Sequence, residues 1–283
     1  MIKKFRLATL AICMLSLFST YQANAQYYYK DIWNTRQLIK DFSILKAEKL
    51  RYIRIKSFED DGEPSEGFRC EKKINSDFTK SEMISRSYIT GESLLVSEYD
   101  NGGKIIKITD NTPTTTSITD YTYNAEGQLS MVKIDTKEDD GRLAISETRE
   151  YTYDGKGLPA TLERKKNNIP VSSIIFKKDS SGNITEETVI TTSATDKKYY
   201  YYYDDKNRLT DVVHFNDRAE KLLPDYIYEY DDSDQAVQMI SASETGDNYF
   251  IWRYIYNDNK LRETEMCFSK EKRLLGKIVY EYK

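Results

Sequence analysis

One short pattern recurs along the chain and constrains its fold more than any other feature. An aromatic, any residue and a second aromatic are followed by Asp or Asn, a few polar residues with Gly or Asn, and then an apolar residue. It reads YTYNAEGQL from Tyr121, YTYDGKGL from Tyr151, YYYDDKNRL from Tyr201, YEYDDSDQA from Tyr228 and YIYNDNKL from Tyr254. Weaker copies begin at Ser97 and Ile175, and a truncated YEYK begins at Tyr280. The second aromatic falls at Tyr99, Tyr123, Tyr153, Phe176, Tyr203, Tyr230, Tyr256 and Tyr282, with spacings of 24, 30, 23, 27, 27, 26 and 26. A fixed period of this length marks a repeated supersecondary unit.

The unit reads as a β-hairpin. Side chains alternate across a strand, so Tyr-x-Tyr puts both rings on one face. An Asx side chain bonds its own turn, and Gly or Asn tolerates positive φ after it. The apolar residue beyond the turn, such as Ile105, Leu129, Leu158, Leu209 or Leu261, opens the outgoing strand. In FIWRYIY, Phe250, Trp252, Tyr254 and Tyr256 share a face opposite Ile251, Arg253 and Ile255. The expected fold is all-β: consecutive antiparallel hairpins forming one curved or partly curled sheet, with a short N-terminal helix. Stacked in register, the tyrosines make cross-strand pairs worth about 0.2–1 kcal/mol each.

The pattern Y-x-Y-D-x-x-G-x-L, clearest at Tyr151–Leu158 and Tyr201–Leu209, resembles the tyrosine-aspartate (YD) repeat of Rhs and teneurin-like proteins, as in small exported proteins of Bacteroidetes-type bacteria. The resemblance spans residues 97–283. It implies a hairpin-repeat architecture, which in large members of that family forms a shell. Asn stands in place of Asp at Asn124 and Asn257.

The first 25 residues read as a signal peptide. Lys3, Lys4 and Arg6 precede an apolar run from Leu7 to Phe18, and Ala23-Asn24-Ala25 supplies a small-x-small cleavage site. The apolar run is too short to span a bilayer, so the mature chain is expected to carry no transmembrane helix. The protein is therefore expected to be exported: periplasmic, outer-membrane-associated or secreted. Loss of the leader leaves 39 basic against 46 acidic residues. Such an acidic balance gains nothing from phosphate backbones, which sets nucleic acid aside. A mean hydropathy of −0.69 describes a polar chain, yet aromatics make up 13%, which disordered chains lack.

Residues 26–96 are less regular and are expected to continue into the repeat region. Asn34 and Gln37 have capping-box spacing before Leu38, Phe42 and Leu45, which predicts a helix over 35–47. LRYIRIKSF at 50–58 and GFRCEKKI at 67–74 flank an acidic turn and predict a hairpin without the tyrosine repeat motif.

Little in the sequence carries chemistry. His214 is the single histidine and, with two cysteines in the mature chain, no usual zinc set can be assembled. The acidic runs at 59–61, 138–140 and 231–234 fall at predicted turns without calcium-loop spacing. No cofactor motif stands out. Cys70 and Cys267 form the pair that an oxidising compartment would allow to bridge, with two buried thiols as the alternative. Tyr27, Tyr28, Tyr29, Tyr199, Tyr200 and Tyr201 exceed what the repeat needs and are the candidates for an exposed aromatic binding surface. The expected function is non-enzymatic: an envelope binding or scaffold protein engaging a glycan, a peptide or a protein partner. The alternative is an outer-membrane β-barrel, and the third reading is a hydrolase on the same scaffold.

Overall fold

The computed structural model describes residues 27–191, 195–216, 220–242 and 248–283. The expected leader lies outside the described residues. Among the described residues one helix, α1 (Tyr29–Ala47), precedes β1 (Tyr52–Glu59), β2 (Arg69–Ile74), β3 (Lys80–Ser87), β4 (Gly91–Tyr99), β5 (Ile105–Asn111) and β6 (Thr115–Tyr123). Then come β7 (Leu129–Glu138), β8 (Ala144–Tyr153), β9 (Pro159–Lys166), β10 (Ile169–Lys178), β11 (Ile184–Thr191) and β12 (Lys197–Tyr203). The circuit ends with β13 (Leu209–Asn216), β14 (Lys221–Tyr230), β15 (Ala236–Ala242), β16 (Tyr249–Tyr256), β17 (Arg262–Ser269) and β18 (Leu274–Tyr282).

Each strand pairs antiparallel with the next, and β18 pairs with β1 from Ile53–Tyr282 through Glu59–Gly276. The 18 strands thus form a closed barrel, which corrects the expected open, curved sheet. Strands β1 to β3, from the stretch without the repeat motif, supply the arc that the repeats lack. Closure satisfies both edges that an open sheet would leave unpaired.

Two devices explain the period. At each repeat turn an Asx Oδ1 accepts the N–H four residues on: Asp100 from Lys104, Asn124 from Gln128, Asp154 from Leu158, Asp179 from Asn183, Asp204 from Arg208, Asp231 from Gln235 and Asn257 from Leu261, all at 2.8–3.0 Å. An amide oxygen serves as well as a carboxylate there, which accounts for Asn124 and Asn257. The residue just before that donor has positive φ, as at Gly157 (75°) and Gly182 (88°), where glycine avoids the Cβ clash. The second tyrosine then staples its hairpin to the preceding one. Its hydroxyl donates to the carbonyl that opens the neighbouring strand: Tyr123 to Ile105, Tyr153 to Leu129, Tyr203 to Ile184, Tyr230 to Leu209, Tyr256 to Ala236 and Tyr282 to Arg262, at 2.6–2.9 Å. Phe176 has no hydroxyl and interrupts the ladder.

The aromatic face points into the barrel, where Tyr151, Tyr199, Tyr201 and Tyr228 join Leu162, Ile174 and Val212 in one buried cluster. The other face looks outward and mixes charged, polar and apolar side chains. Ion pairs cross it at Lys56–Glu281, Lys107–Asp120, Lys165–Glu150 and Lys177–Glu186.

Cys70 and Cys267 are both buried and are not bridged. Their strands, β2 and β17, are separated by β1 and β18, three steps of about 4.8 Å each. A disulfide needs Cα atoms within about 7 Å, so the bridge is geometrically closed to this fold. Burial pushes the Cys70 thiol up to about 12.

Candidate functional site

The centre of the molecule is the lumen, and α1 occupies it. The helix starts six residues before the expected Thr35 and ends at Ala47 as predicted. At one end, Tyr27 packs edge-on against Tyr201 of β12 and Tyr226 of β14, and Trp33 lies 5.8 Å from Tyr228. At the other end, Phe42 stacks on Tyr99 of β4 at 3.6 Å and meets Phe78, while Lys46 Nζ donates to the Asn101 carbonyl at 3.3 Å. In an 18-strand circuit β12 stands eight strands, nearly half a turn, from β4. The helix therefore runs as a strut between facing walls, and 19 residues give it about 28 Å of length.

The strut is seated by buried charge. No side chain of α1 caps its N-terminus, where unpaired N–H groups and the helix dipole concentrate positive potential. Glu187 of β11, fully buried, supplies the cap from the wall. It accepts hydrogen bonds from Tyr28 N at 2.8 Å, Tyr29 N at 2.9 Å and the Tyr201 hydroxyl at 2.8 Å. Burial pushes its carboxyl up to about 7, against the pull of those donors.

Beside it, Arg149 of β8 donates to Asp31 at 2.9 Å and to Glu147 at 2.7 Å, and Arg164 of β9 closes on Glu147 at 2.6 Å. The Tyr151 hydroxyl reaches both Asp31 at 2.8 Å and the Tyr28 carbonyl at 3.0 Å. Burial works against the Arg149 charge, but Asp31 and Glu147 hold its pKa above the usual arginine value. Burial likewise opposes the Glu147 charge, and the two arginines hold its pKa below the ordinary one. A second polar cluster lines β17 and β18. There Arg262 pairs with Glu265 at 3.1 Å and lies 4.3 Å over the Tyr254 ring, and the Tyr280 hydroxyl donates to Glu265 at 2.9 Å.

These groups are positioned as structural anchors. A cavity of about 40 Å³ remains between Leu38 and the wall at Lys72, Ser81 and Tyr99, space for about one water. Among the described residues no cluster of His, Cys, Asp and Glu is arranged to hold a metal.

The predicted aromatic surface is corrected here. Tyr27, Tyr28, Tyr29, Tyr199 and Tyr201 are buried in the lumen, none more than 8% exposed, because the N-terminal segment enters the ring and its rings pack against the inner tyrosines. Tyr200 alone of the six faces outward. His214 is a strand residue with a local partner, its Nδ1 3.0 Å from Asp225 Oδ2. Glu187, Arg149, Asp31 and Glu265 escaped sequence reasoning. Arg149 left one signal: it shares strand parity with Tyr151 and Tyr153, so it belongs to the face that points inward.

No family model matches the chain, and no curated protein matches it. The Rhs and teneurin-like resemblance is thus not confirmed. Solved structures align over most of the chain at low similarity. A porin-like protein from Bacteroides uniformis is 11% identical, covers 83% of this chain and 98% of its own, and superposes with a TM-score of 0.40. A porin-like protein from Bacteroides vulgatus is 15% identical over 72% of this chain and 98% of its own, with a TM-score of 0.34. The TcdB2-TccC3 structure is 9% identical over 76% of this chain but only 16% of its own, with a TM-score of 0.26. At such scores these likenesses carry no argument about function, and what stands is an all-β closed barrel whose lumen holds its own helix.

Proposed function

We propose that the chain is an exported, non-enzymatic barrel of the bacterial cell envelope, stoppered by α1, which acts by binding a partner through its outer surface instead of conducting solutes through its lumen. The observation that carries this is the seat of α1, in which Glu187, Arg149 and Tyr151 fix the helix N-terminus deep inside the ring. An open pore would need that strut displaced. In planar bilayers or detergent the purified chain is expected to give no steady conductance; stable open channels from the intact protein would overturn the reading. Turnover of a polysaccharide or an ester would overturn its non-enzymatic part.

The closed antiparallel wall favours a second reading, an outer-membrane barrel. Such a barrel needs a continuous apolar outer belt. Here Arg54, Lys133, Lys165, Lys177 and Lys198 face outward, and basic side chains cost about 2–4 kcal/mol each at the bilayer midplane. The polar wall supports placing the barrel in water. Release of the mature chain without detergent is the expected result, and retention after carbonate washing with heat-modifiable gel mobility would establish the membrane reading instead.

A further inference from the structure

The outer wall is uneven. Ion pairs cross it over β1 to β12 and at β18, but among the described residues none joins outward side chains of β13 to β17. That sector is apolar. Ile227, Ile240, Ile251 and Phe268 form one row across β14, β15, β16 and β17, each directly opposite the next, with Ile251 only 7% exposed, the other three half-buried, and Asp211 of β13 at the row's end. Phe215 and Leu222 are paired beside it and remain 49% and 45% exposed.

The adjacent row carries charge in a definite order. Glu229 of β14 stands opposite Gln238 of β15, which stands opposite Arg253 of β16. Glu229 and Arg253 are both exposed, lie two strand spacings apart, about 10 Å, and form no ion pair with each other. Arg253 donates from Nε to Gln238 Oε1 at 3.2 Å and spreads its guanidinium 5.2 Å over the Phe268 ring. The pattern is antisymmetric about β15: acid on one side, base on the other, at the same height.

We propose that the outward face of β14 to β16 binds a second copy of this chain about a two-fold axis running along β15. An isologous interface must be self-complementary. A two-fold rotation about an axis in the contact plane exchanges the left and right flanks of β15. It sets Glu229 of each copy against Arg253 of the other and Ile240 against itself, with Ile227 over the strand that carries the buried Ile251. Both oppositely charged pairs form together, and the apolar row closes between them.

Three strands about 4.8 Å apart and about 26 Å long give a footprint of roughly 370 Å² per copy. Standard interfaces bury about 800 Å² per partner, so the dimer belongs to the weak, concentration-dependent class.

Sedimentation equilibrium of the mature chain across micromolar concentrations tests this. The wild type is expected to dimerise reversibly, while Arg253→Glu and Glu229→Arg each weaken the dimer about tenfold or more, because every substitution enters twice and creates like-charge contacts. Mixing those two variants is expected to yield a heterodimer, since one then carries only acids and the other only bases at the paired positions. Both residues are exposed, and unchanged circular dichroism and melting confirm that the variants fold. A wild type that stays monomeric at 200 µM overturns the proposal, as does failure of the mixed variants to associate. Sedimentation of a monomeric wild type with phosphatidylethanolamine–phosphatidylglycerol vesicles would assign the face to lipid instead.

Discussion

Replacing Glu187 isolates the anchor of the central helix. In Glu187→Ala, Tyr28 N, Tyr29 N and the Tyr201 hydroxyl lose their acceptor in a site without exposure. Buried donors left unpaired cost about 1–3 kcal/mol each, and partial relaxation brings the expected loss to roughly 3–5 kcal/mol. Glu187→Gln keeps one acceptor oxygen and is expected to lose less, but it also removes a titration. Burial holds the folded carboxyl at about 7, above the 4.5 of an exposed glutamate. The folded state therefore retains a proton that the unfolded chain releases. This preference stabilises the fold fully below pH 4.5 and is lost as the pH rises through 7. It amounts to about 3 kcal/mol across that window. Urea unfolding at steps from pH 4.5 to 7.5, followed by far-ultraviolet circular dichroism, measures it. The unfolding free energy of the wild type minus that of Glu187→Gln is expected to fall by about that amount as the pH rises. Parallel curves for the two proteins would refute the assignment of a buried, titrating carboxyl to the helix seat.

Three further outcomes are expected. Tyr203→Phe removes one staple to the Ile184 carbonyl and should cost about 1 kcal/mol in urea unfolding, with the barrel otherwise intact. Asn257→Asp should be nearly silent because the turn needs only an oxygen acceptor, whereas Asn257→Ala loses the bonds from Asn259 and Leu261 and should lower the melting temperature measurably. Mass spectrometry of the unreduced mature chain should find Cys70 and Cys267 unbridged, and maleimide labelling should be slow in buffer and fast in denaturant, since both thiols are buried.

The hairpins were legible in sequence because each is specified locally. Asp154 and its bonded Leu158 lie in one turn, and Tyr151 and Tyr153 show their shared face by spacing alone. Closure was not legible, since it depends on β1 to β3, where Asn75 makes the same bonds to Thr79 and Lys80 without a preceding tyrosine. Phe78 holds positive φ there, at 56°, where five of the seven repeat turns place Gly or Asn. The helix start was misread for a related reason. Asn34 has cap spacing, but the true cap is Glu187, 159 residues away from Tyr28, and a remote partner leaves no local signature. Tyr27 to Tyr29 looked surplus to the repeat because the inner tyrosines they pack against belong to other hairpins.

The seam between β1 and β18 also sets an order of events. Every other strand pair can zip as soon as its own hairpin leaves the exit of whatever machine delivers it, and short loops close fast. The seam joins Ile53 to Tyr282 and has to wait for the last residues. Until then the sheet has two bare edges. The slow step of folding is therefore the final one, and a chain halted before β18 would display two open edges ready to recruit a strand from a neighbour.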